Sequence, residues 1–306
     1  MRSAPRSLIY EFGSGKAARA LHDLRRFEWS RVHVDELLEM AGVVKRRPWA
    51  DLGSGWGAWS FVFAEASGSS VQALDADPMM VEQCREIARA TGLKVRGVLG
   101  DVLDQSSLRE AFYQGITCQL LLRHSGRPSE LLDNARRWLR PGGQVLLVER
   151  DSVAQWRSIL VDPRDGLPEK PVGWGEFYRR ASRGLRGLGL GDRCVIEELD
   201  GLIESAGFED LGRYENPAVL RLEPPYDPYS RQLADELIAW WDYDVDEALV
   251  QGARGAGMDA EQIDVLTGAE TAWRRQLCVG LRRGSLALSM STGLVAVWGR
   301  KGTMAS

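Results

Sequence analysis

Trp49-Ala50-Asp51-Leu52-Gly53-Ser54-Gly55-Trp56-Gly57-Ala58-Trp59-Ser60 sets the architecture of this chain. The residues up to Asp51 read as a buried strand, and those after Gly57 are apolar at helical spacing. Between them glycine stands at alternate positions, Gly53, Gly55 and Gly57. A strand that turns at once into a helix, with its backbone close to a ligand, needs this pattern, because glycine accepts positive φ and carries no Cβ. The helix that follows points free N–H groups into the crevice above the strand. The stretch reads as a nucleotide-cofactor loop.

On either side of this loop, strand and helix alternate. A helix runs from the loop to about Ala66, a second strand spans Ser70 to Asp75, and Asp77-Pro78 opens the next helix as N-cap and first residue. Val81, Cys84 and Ile87 form its apolar stripe and Thr91-Gly92 closes it. Strands are expected at Lys94–Leu99, Ile116–Leu122 and Gln144–Glu149, with a helix over Pro128–Leu139 and a turn at Arg140-Pro141-Gly142-Gly143. Upstream, helices are expected from Lys16 to Arg26 and from Ser30 to Met40. Downstream come a helix over Ile196–Ala206, a strand towards Leu220, helical blocks carrying Leu237, Trp240 and Trp241 and then Trp273, Leu277 and Leu281, and a last strand over Leu294–Gly299. The fold class is therefore α/β: a Rossmann-like, seven-stranded, mostly parallel sheet with helices on both faces, plus a largely helical lid from insertions. The expected organisation is an N-terminal helical cap over 1–44, a core over 45–220 and 290–303, and lid insertions over 152–192 and 221–289.

Composition narrows the function. The 306 residues are 44% hydrophobic and 27% charged, ordinary for a globular protein, with a formal net charge of -4. That balance argues against a nucleic-acid partner, and the arginine pairs are scattered among acids. No apolar run is long enough to span a membrane or serve as a signal peptide. Cys84, Cys118, Cys194 and Cys278 have no paired spacing, so reduced thiols and a cytoplasmic location are expected. With only His22, His33 and His124, no protein-built metal site is expected.

Gly53 to Ala58 also satisfies the dinucleotide pattern GxGxxA, which keeps an NAD oxidoreductase open. Asp75, ending the second strand, suits the ribose of either cofactor. Asp51 at the end of strand one and Asp101 at the end of strand three favour a cationic, amino-acid-bearing nucleoside over a pyrophosphate.

At these residues the sequence resembles the class I S-adenosylmethionine-dependent methyltransferases, in their small-molecule (ubiquinone/menaquinone-type) branch. The resemblance rests on Asp51–Gly57, Asp75, Gly100-Asp101, Leu122-Arg123-His124 and Leu139–Gly143, in order over about 46–150, and extends through Leu202–Phe208 to Val297–Arg300. The chain departs from the family at Tyr113-Gln114-Gly115-Ile116, where an acid usually starts the strand, and at Arg123-His124, where paired histidines are frequent. The resemblance implies S-adenosylmethionine as cofactor and S-adenosylhomocysteine as product. Gly53, Ser54, Gly55 and Gly57 with Asp51 would hold the methionine end, Asp75 and Ala76 the ribose, and Asp101 and Val102 the adenine. Leu122 and Arg123 would complete the site, with Tyr10 as an aromatic flap. His124 is the candidate base, and Arg150, Asp151, Trp174 and Tyr178 are candidate acceptor-binding residues. The expected reaction is methyl transfer to O, N or C of a small, apolar or aromatic acceptor, with a homodimer as the candidate assembly. The alternatives are a protein of this fold that binds S-adenosylmethionine without transferring methyl, such as a cyclase or regulatory module, and a thiol-coordinating acceptor such as arsenite.

Overall fold

In a computed structural model the described residues are 27–162, 169–241 and 247–303. The first expected helix, Tyr10 and His22 lie outside them. Helix α1 (Arg31–Met40) starts where Ser30 accepts a hydrogen bond from the His33 amide, and it buries Val34, Leu37 and Leu38.

Strands β1 (Pro48–Leu52), β2 (Ser70–Asp75), β3 (Val95–Leu99), β4 (Tyr113–Gln119) and β5 (Leu139–Arg150) are joined by the expected helices. These are α2 (Ala58–Ser67), α3 (Pro78–Thr91) and α4 (Pro128–Trp138). With β7 (Phe208–Glu215) and β10 (Leu294–Lys301) they form one seven-stranded sheet in the order β3-β2-β1-β4-β5-β10-β7. All its pairings are parallel except those of β10, which runs against both β5 and β7. Side chains alternate across the sheet. Trp49, Ala73 and Val148 pack with α1, α2 and α3, whereas Ala50, Leu52, Ile116 and Leu147 pack with α4 and with α7 (Leu199–Ser205).

Several boundaries differ from expectation. The fourth strand begins at Tyr113 and stops at Gln119, and Leu122–His124 forms a 3₁₀ turn beyond it. The Arg140–Gly143 turn is a bulge within β5: Tyr113 pairs with Leu139, and pairing resumes at Gly115 with Gln144. The helix expected over 196–206 is a 3₁₀ turn, Val195–Glu197, followed by α7. The strand towards Leu220 is two strands. Its second part, β8 (Val219–Leu222), joins β6 (Leu160–Val161) and β9 (Leu288–Ser291) in a separate antiparallel sheet of order β6-β9-β8.

The inserted segments have cores of their own. Helices α8 (Pro228–Trp241) and α10 (Ala260–Arg283) close over that small sheet through Leu237, Trp241, Trp273, Leu277 and Leu281. Helix α6 (Trp174–Gly187) packs on α9 (Glu247–Gly255) through Phe177, Ala181, Leu185, Leu249 and Ala253. The aromatic spacing expected to line an acceptor pocket is thus mostly core. Trp174 is 6% exposed, stacks on Phe177 at 4.8 Å, and does not face the crevice as an acceptor-binding residue would.

Candidate functional site

The neighbours of β1 in the sheet are β2 on one side and β4 on the other, so the chain reverses direction across the sheet at β1. A crevice at the carboxyl ends of the strands is expected at such a switch point. The glycine loop lies there. Gly53, Gly55 and Gly57 all adopt positive φ (58°, 55° and 95°). Their reasons for being glycine differ. A Cβ on Gly57 would stand 2.9 Å from Cys84 Sγ and from the Phe61 ring, so Gly57 serves packing. A Cβ on Gly55 would meet nothing within 4 Å, which leaves that backbone open to a ligand. Ser54 is itself buried, its amide donating to the Leu74 carbonyl at 3.0 Å and its carbonyl accepting from the Gly57 amide at 2.9 Å, so its backbone is engaged in shaping the loop.

Asp75 is tied to this loop. Its Oδ2 accepts from the Gly55 amide at 2.7 Å and its Oδ1 from the Asp77 amide at 2.9 Å. Each carboxylate oxygen keeps a second lone pair, so the group is oriented and still able to accept from a diol. Ala76 beside it is exposed on the rim. On the next strand end Asp101 is exposed, with Oδ1 accepting from the Leu103 amide at 2.8 Å. The Val102 carbonyl accepts from Asn134 Nδ2 at 3.1 Å. Beside them is a cavity of about 530 Å³ walled by Val102, Leu103, Leu121, His124 and Arg127. A ribose at Asp75 and a flat base between the apolar side chains near Asp101 fit these residues.

Two cofactor expectations are corrected. Asp51 is 1% exposed and its Oδ2 accepts from Ser60 Oγ at 2.5 Å, because its position in β1 directs it inward to α2. It supports the loop from beneath. The Leu122 side chain is in the core, and Leu121 is the residue that reaches the loop, 2.5 Å from where a Gly53 Cβ would stand. Leu120, at φ 60°, shifts the alternation by one residue.

Glu149 is a site residue that sequence reasoning misses. It ends the apolar run of β5, is fully buried, and its Oε1 accepts from the Leu122 amide at 2.7 Å, so it anchors the 3₁₀ turn. Its other oxygen has no hydrogen-bond partner among the described residues. Burial pushes its carboxyl up to about 7, against the pull of Arg123 and of the Leu122 amide. A raised folded-state pKa means that the folded protein holds a proton that the unfolded chain has lost. Its contribution to stability is complete below about pH 4.5 and is lost as pH rises through about 7. Glu149→Gln should therefore be relatively more stabilising at pH 8 than at pH 5 in urea titrations. An equal effect at both pH values would contradict this environment.

Arg123, which the resemblance places at the cofactor, stands instead with the acceptor-side candidates, and these separate into two groups. Arg123, half-buried, donates through Nη2 to Ser152 Oγ at 3.2 Å and to Tyr178 OH at 3.1 Å, so it faces the inserted segment rather than the glycine loop. Tyr178 thereby joins the strand ends, through a contact spanning 55 residues. Arg150, by contrast, is buried, paired with Glu28 and lying over the Trp240 ring at 5.4 Å; it is structural as placed. Asp151 caps α5 (Ser152–Ser158), accepting from the Ala154 amide at 2.7 Å.

His124 sits on the rim, exposed to solvent. The 189–193 segment crosses it so closely that a Cβ on Gly191 would stand 2.5 Å from the Arg123 carbonyl. The crossing lays Arg193 Nη1 against the ring nitrogens, 3.2 Å from Nε2. Burial, then the positive charges of Arg193 and Arg123, push His124 down to about 3. The ring is neutral at working pH but is a weak proton acceptor.

Among the described residues no group of three His, Cys, Asp or Glu could hold a metal. The four cysteines are buried and form no disulfide, and burial pushes the Cys84 thiol up to about 12 and the Cys194 thiol up to about 11. This placement gives no support to a thiol-coordinating acceptor. No helix among the described residues is long and apolar enough to cross a membrane.

A family model described as a methyltransferase domain matches residues 50–143, the segment from β1 through the start of β5. The chain is 27% identical over 148 residues to a ubiquinone biosynthesis O-methyltransferase of Pseudomonas fluorescens, covering 46% of this chain and 59% of that protein. It is 28% identical, with the same coverage, to the protein of that description from Pseudomonas putida. The chain thus spans about three fifths of the length of the curated relatives it matches. A structure from Bacillus halodurans described as that of a methyltransferase superimposes with TM-score 0.50 and 17% identity, over 88% of this chain and 99% of that one; this likeness concerns the fold. The glycine loop at the switch point, Asp75 and Asp101 on successive strand ends, and the matched model lead to one conclusion: residues 50–143 form a methyltransferase domain that resembles the class I S-adenosylmethionine-dependent enzymes, with S-adenosylmethionine as cofactor.

Proposed function

We propose that the chain transfers a methyl group from S-adenosylmethionine to an oxygen, nitrogen or carbon atom of a small acceptor. The observation that carries this reading is the Asp75 carboxylate, fixed by the Gly55 amide at 2.7 Å beside an open stretch of glycine backbone. A bound cofactor would supply a sulfonium methyl open to in-line attack by the acceptor, with S-adenosylhomocysteine as the leaving group. The rest is positioning, which is where most of the rate advantage of such a reaction lies.

In this reading Asp75 and Ala76 hold the ribose, Asp101 and Val102 the adenine edge, and Gly53 to Gly57 the methionine end, with Leu121 as the wall facing them. The described parts of 152–192 and 221–289 act as the lid and exclude water from the strand ends. The acceptor meets Arg123, Ser152 and Tyr178. His124 orients Arg193 rather than taking a proton, since Arg193 faces its ring nitrogens. The apolar, aromatic acceptor expected from the sequence loses support because Trp174, Trp241 and Trp273 are core. A cytoplasmic location and a homodimer as the candidate assembly belong to the same reading.

The placement of His124 also favours a second reading, binding without methyl transfer, since His124 is the base that the sequence leads one to expect. Titration calorimetry with S-adenosylhomocysteine and, in parallel, NADH tests the cofactor; turnover on an acceptor panel separates the two readings. Micromolar nucleoside binding with silence towards NADH is expected. The reverse pattern would sink both readings.

A further inference from the structure

We propose that Arg123, Ser152 and Tyr178 form an anion-recognition site that takes a carboxylate group of the acceptor. The proposal rests on the methyl-transfer reading and names the substrate class it would serve.

The donor count carries it. A guanidinium has five N–H donors and no acceptor. Arg123 uses two, both on Nη2, and both go to neutral hydroxyls. No carboxylate among the described residues lies within ion-pair distance of it, although the side chain is half-buried. Ser152 and Tyr178 each accept from Arg123 and each keep an O–H to donate. The cluster therefore presents three guanidinium N–H groups and two hydroxyls with no acceptor assigned to them, an imbalance that an anion resolves.

The surrounding charges agree. Arg193 lies against His124, the next residue in the turn, and His124 is neutral. The nearby acids are engaged: Asp151 caps α5 and Glu197 pairs with Arg179 at 2.6 Å. Glu149, buried behind the turn, is directed at the Leu122 amide, and its raised pKa leaves it only partly charged at neutral pH. One guanidinium flanked by two hydroxyls matches a carboxylate, with one charge and two oxygens, better than a phosphate dianion.

The position suits an acceptor. Arg123 follows β4 and Ser152 follows β5, while the residues fitted to the nucleoside follow β1, β2 and β3. Tyr178 reaches them from α6 in the inserted segment. A carboxylate held here would place the body of the acceptor over the strand ends beside the glycine loop.

The test uses the full chain saturated with S-adenosylhomocysteine and a graded set of carboxylates (acetate, benzoate, 3,4-dihydroxybenzoate, decanoate), each paired with its methyl ester and followed by saturation-transfer NMR. At least one carboxylate should bind about tenfold or more tightly than its ester. Arg123→Gln should remove that preference, Arg123→Lys should keep part of it, and Tyr178→Phe should reduce it, with nucleoside affinity unchanged throughout. Esters binding as well as acids, no carboxylate binding up to millimolar concentration, or a preference that survives Arg123→Gln would overturn the proposal. Loss of nucleoside binding by the unmodified chain would instead overturn the methyl-transfer reading on which it rests. Tyr178→Phe keeps the test open should Arg123→Gln fail to fold.

Discussion

Asp75→Ala is expected to weaken S-adenosylhomocysteine binding by about a hundredfold, with the fold intact. A carboxylate accepting from two ribose hydroxyls makes two charge-assisted hydrogen bonds of about 1.5–3 kcal/mol each, so a hundredfold, about 2.7 kcal/mol, sits just below the low end of their sum. The substitution also frees the Gly55 amide, held at 2.7 Å, and the Asp77 amide, held at 2.9 Å, so the loop itself loses a constraint. Asp75→Asn keeps acceptor capacity at one oxygen, but its amide nitrogen would face donors. An intermediate loss of about tenfold follows. Because Asp75 is half-exposed, melting temperature should move little, which separates a binding defect from unfolding. Calorimetry on the two variants decides it. A change of less than about threefold for Asp75→Ala would mean that the ribose is held elsewhere, and the reading of the crevice would have to be rebuilt.

The parts of this site legible in the sequence are those governed by local rules. Gly55 and Gly57 are dictated by a strand–turn–helix connection, and Asp77-Pro78 by the needs of a helix start; both stand where the sequence places them. Asp75 is legible because a strand ends there. The misses are of a different kind. The sequence points to Leu122 where the structure has Leu121, because Leu120 adopts φ 60° and shifts the side-chain alternation by one; nothing about a leucine announces positive φ. Asp51 reads as facing the ligand, whereas strand parity sends it to Ser60. Arg123 with Tyr178 and His124 with Arg193 are contacts over 55 and 69 residues, set by how the insertion folds back on the sheet. Trp174 and Phe177 show the remaining ambiguity: helical spacing specifies an apolar face but not whether that face meets a ligand or another helix.

What meets that face is α9, and the largest stability effect is expected at this crossing. A Cβ on Gly184 of α6 would stand 1.7 Å from the Gly252 carbonyl oxygen, and one on Gly252 would stand 2.2 Å from the Ala181 carbonyl oxygen. Backbone blocks backbone, so no side-chain rearrangement can make room. Helix propensity alone would favour alanine over glycine at an interior position by about 0.5–1 kcal/mol. Overpacking against a rigid partner costs about 1–3 kcal/mol, so the clash wins and Gly184→Ala should destabilise; Gly184→Val, bulkier and β-branched, should lose about 3 kcal/mol or more. Gly268, exposed in the middle of α10 where an added Cβ would meet nothing within 4 Å, supplies the contrast: Gly268→Ala should gain about 0.5–1 kcal/mol. Urea midpoints of the three variants read out the signs, and a Gly184→Ala protein as stable as the parent would refute the close crossing. The crossing also bears on function, because α6 carries Tyr178. Forcing α6 away from α9 should disturb the hydroxyl that Arg123 holds at 3.1 Å, while the glycine loop and Asp75, built on the sheet, keep their geometry. Gly184→Ala should therefore impair acceptor binding while sparing S-adenosylhomocysteine binding, which would show that the two halves of the crevice are supported by separate cores.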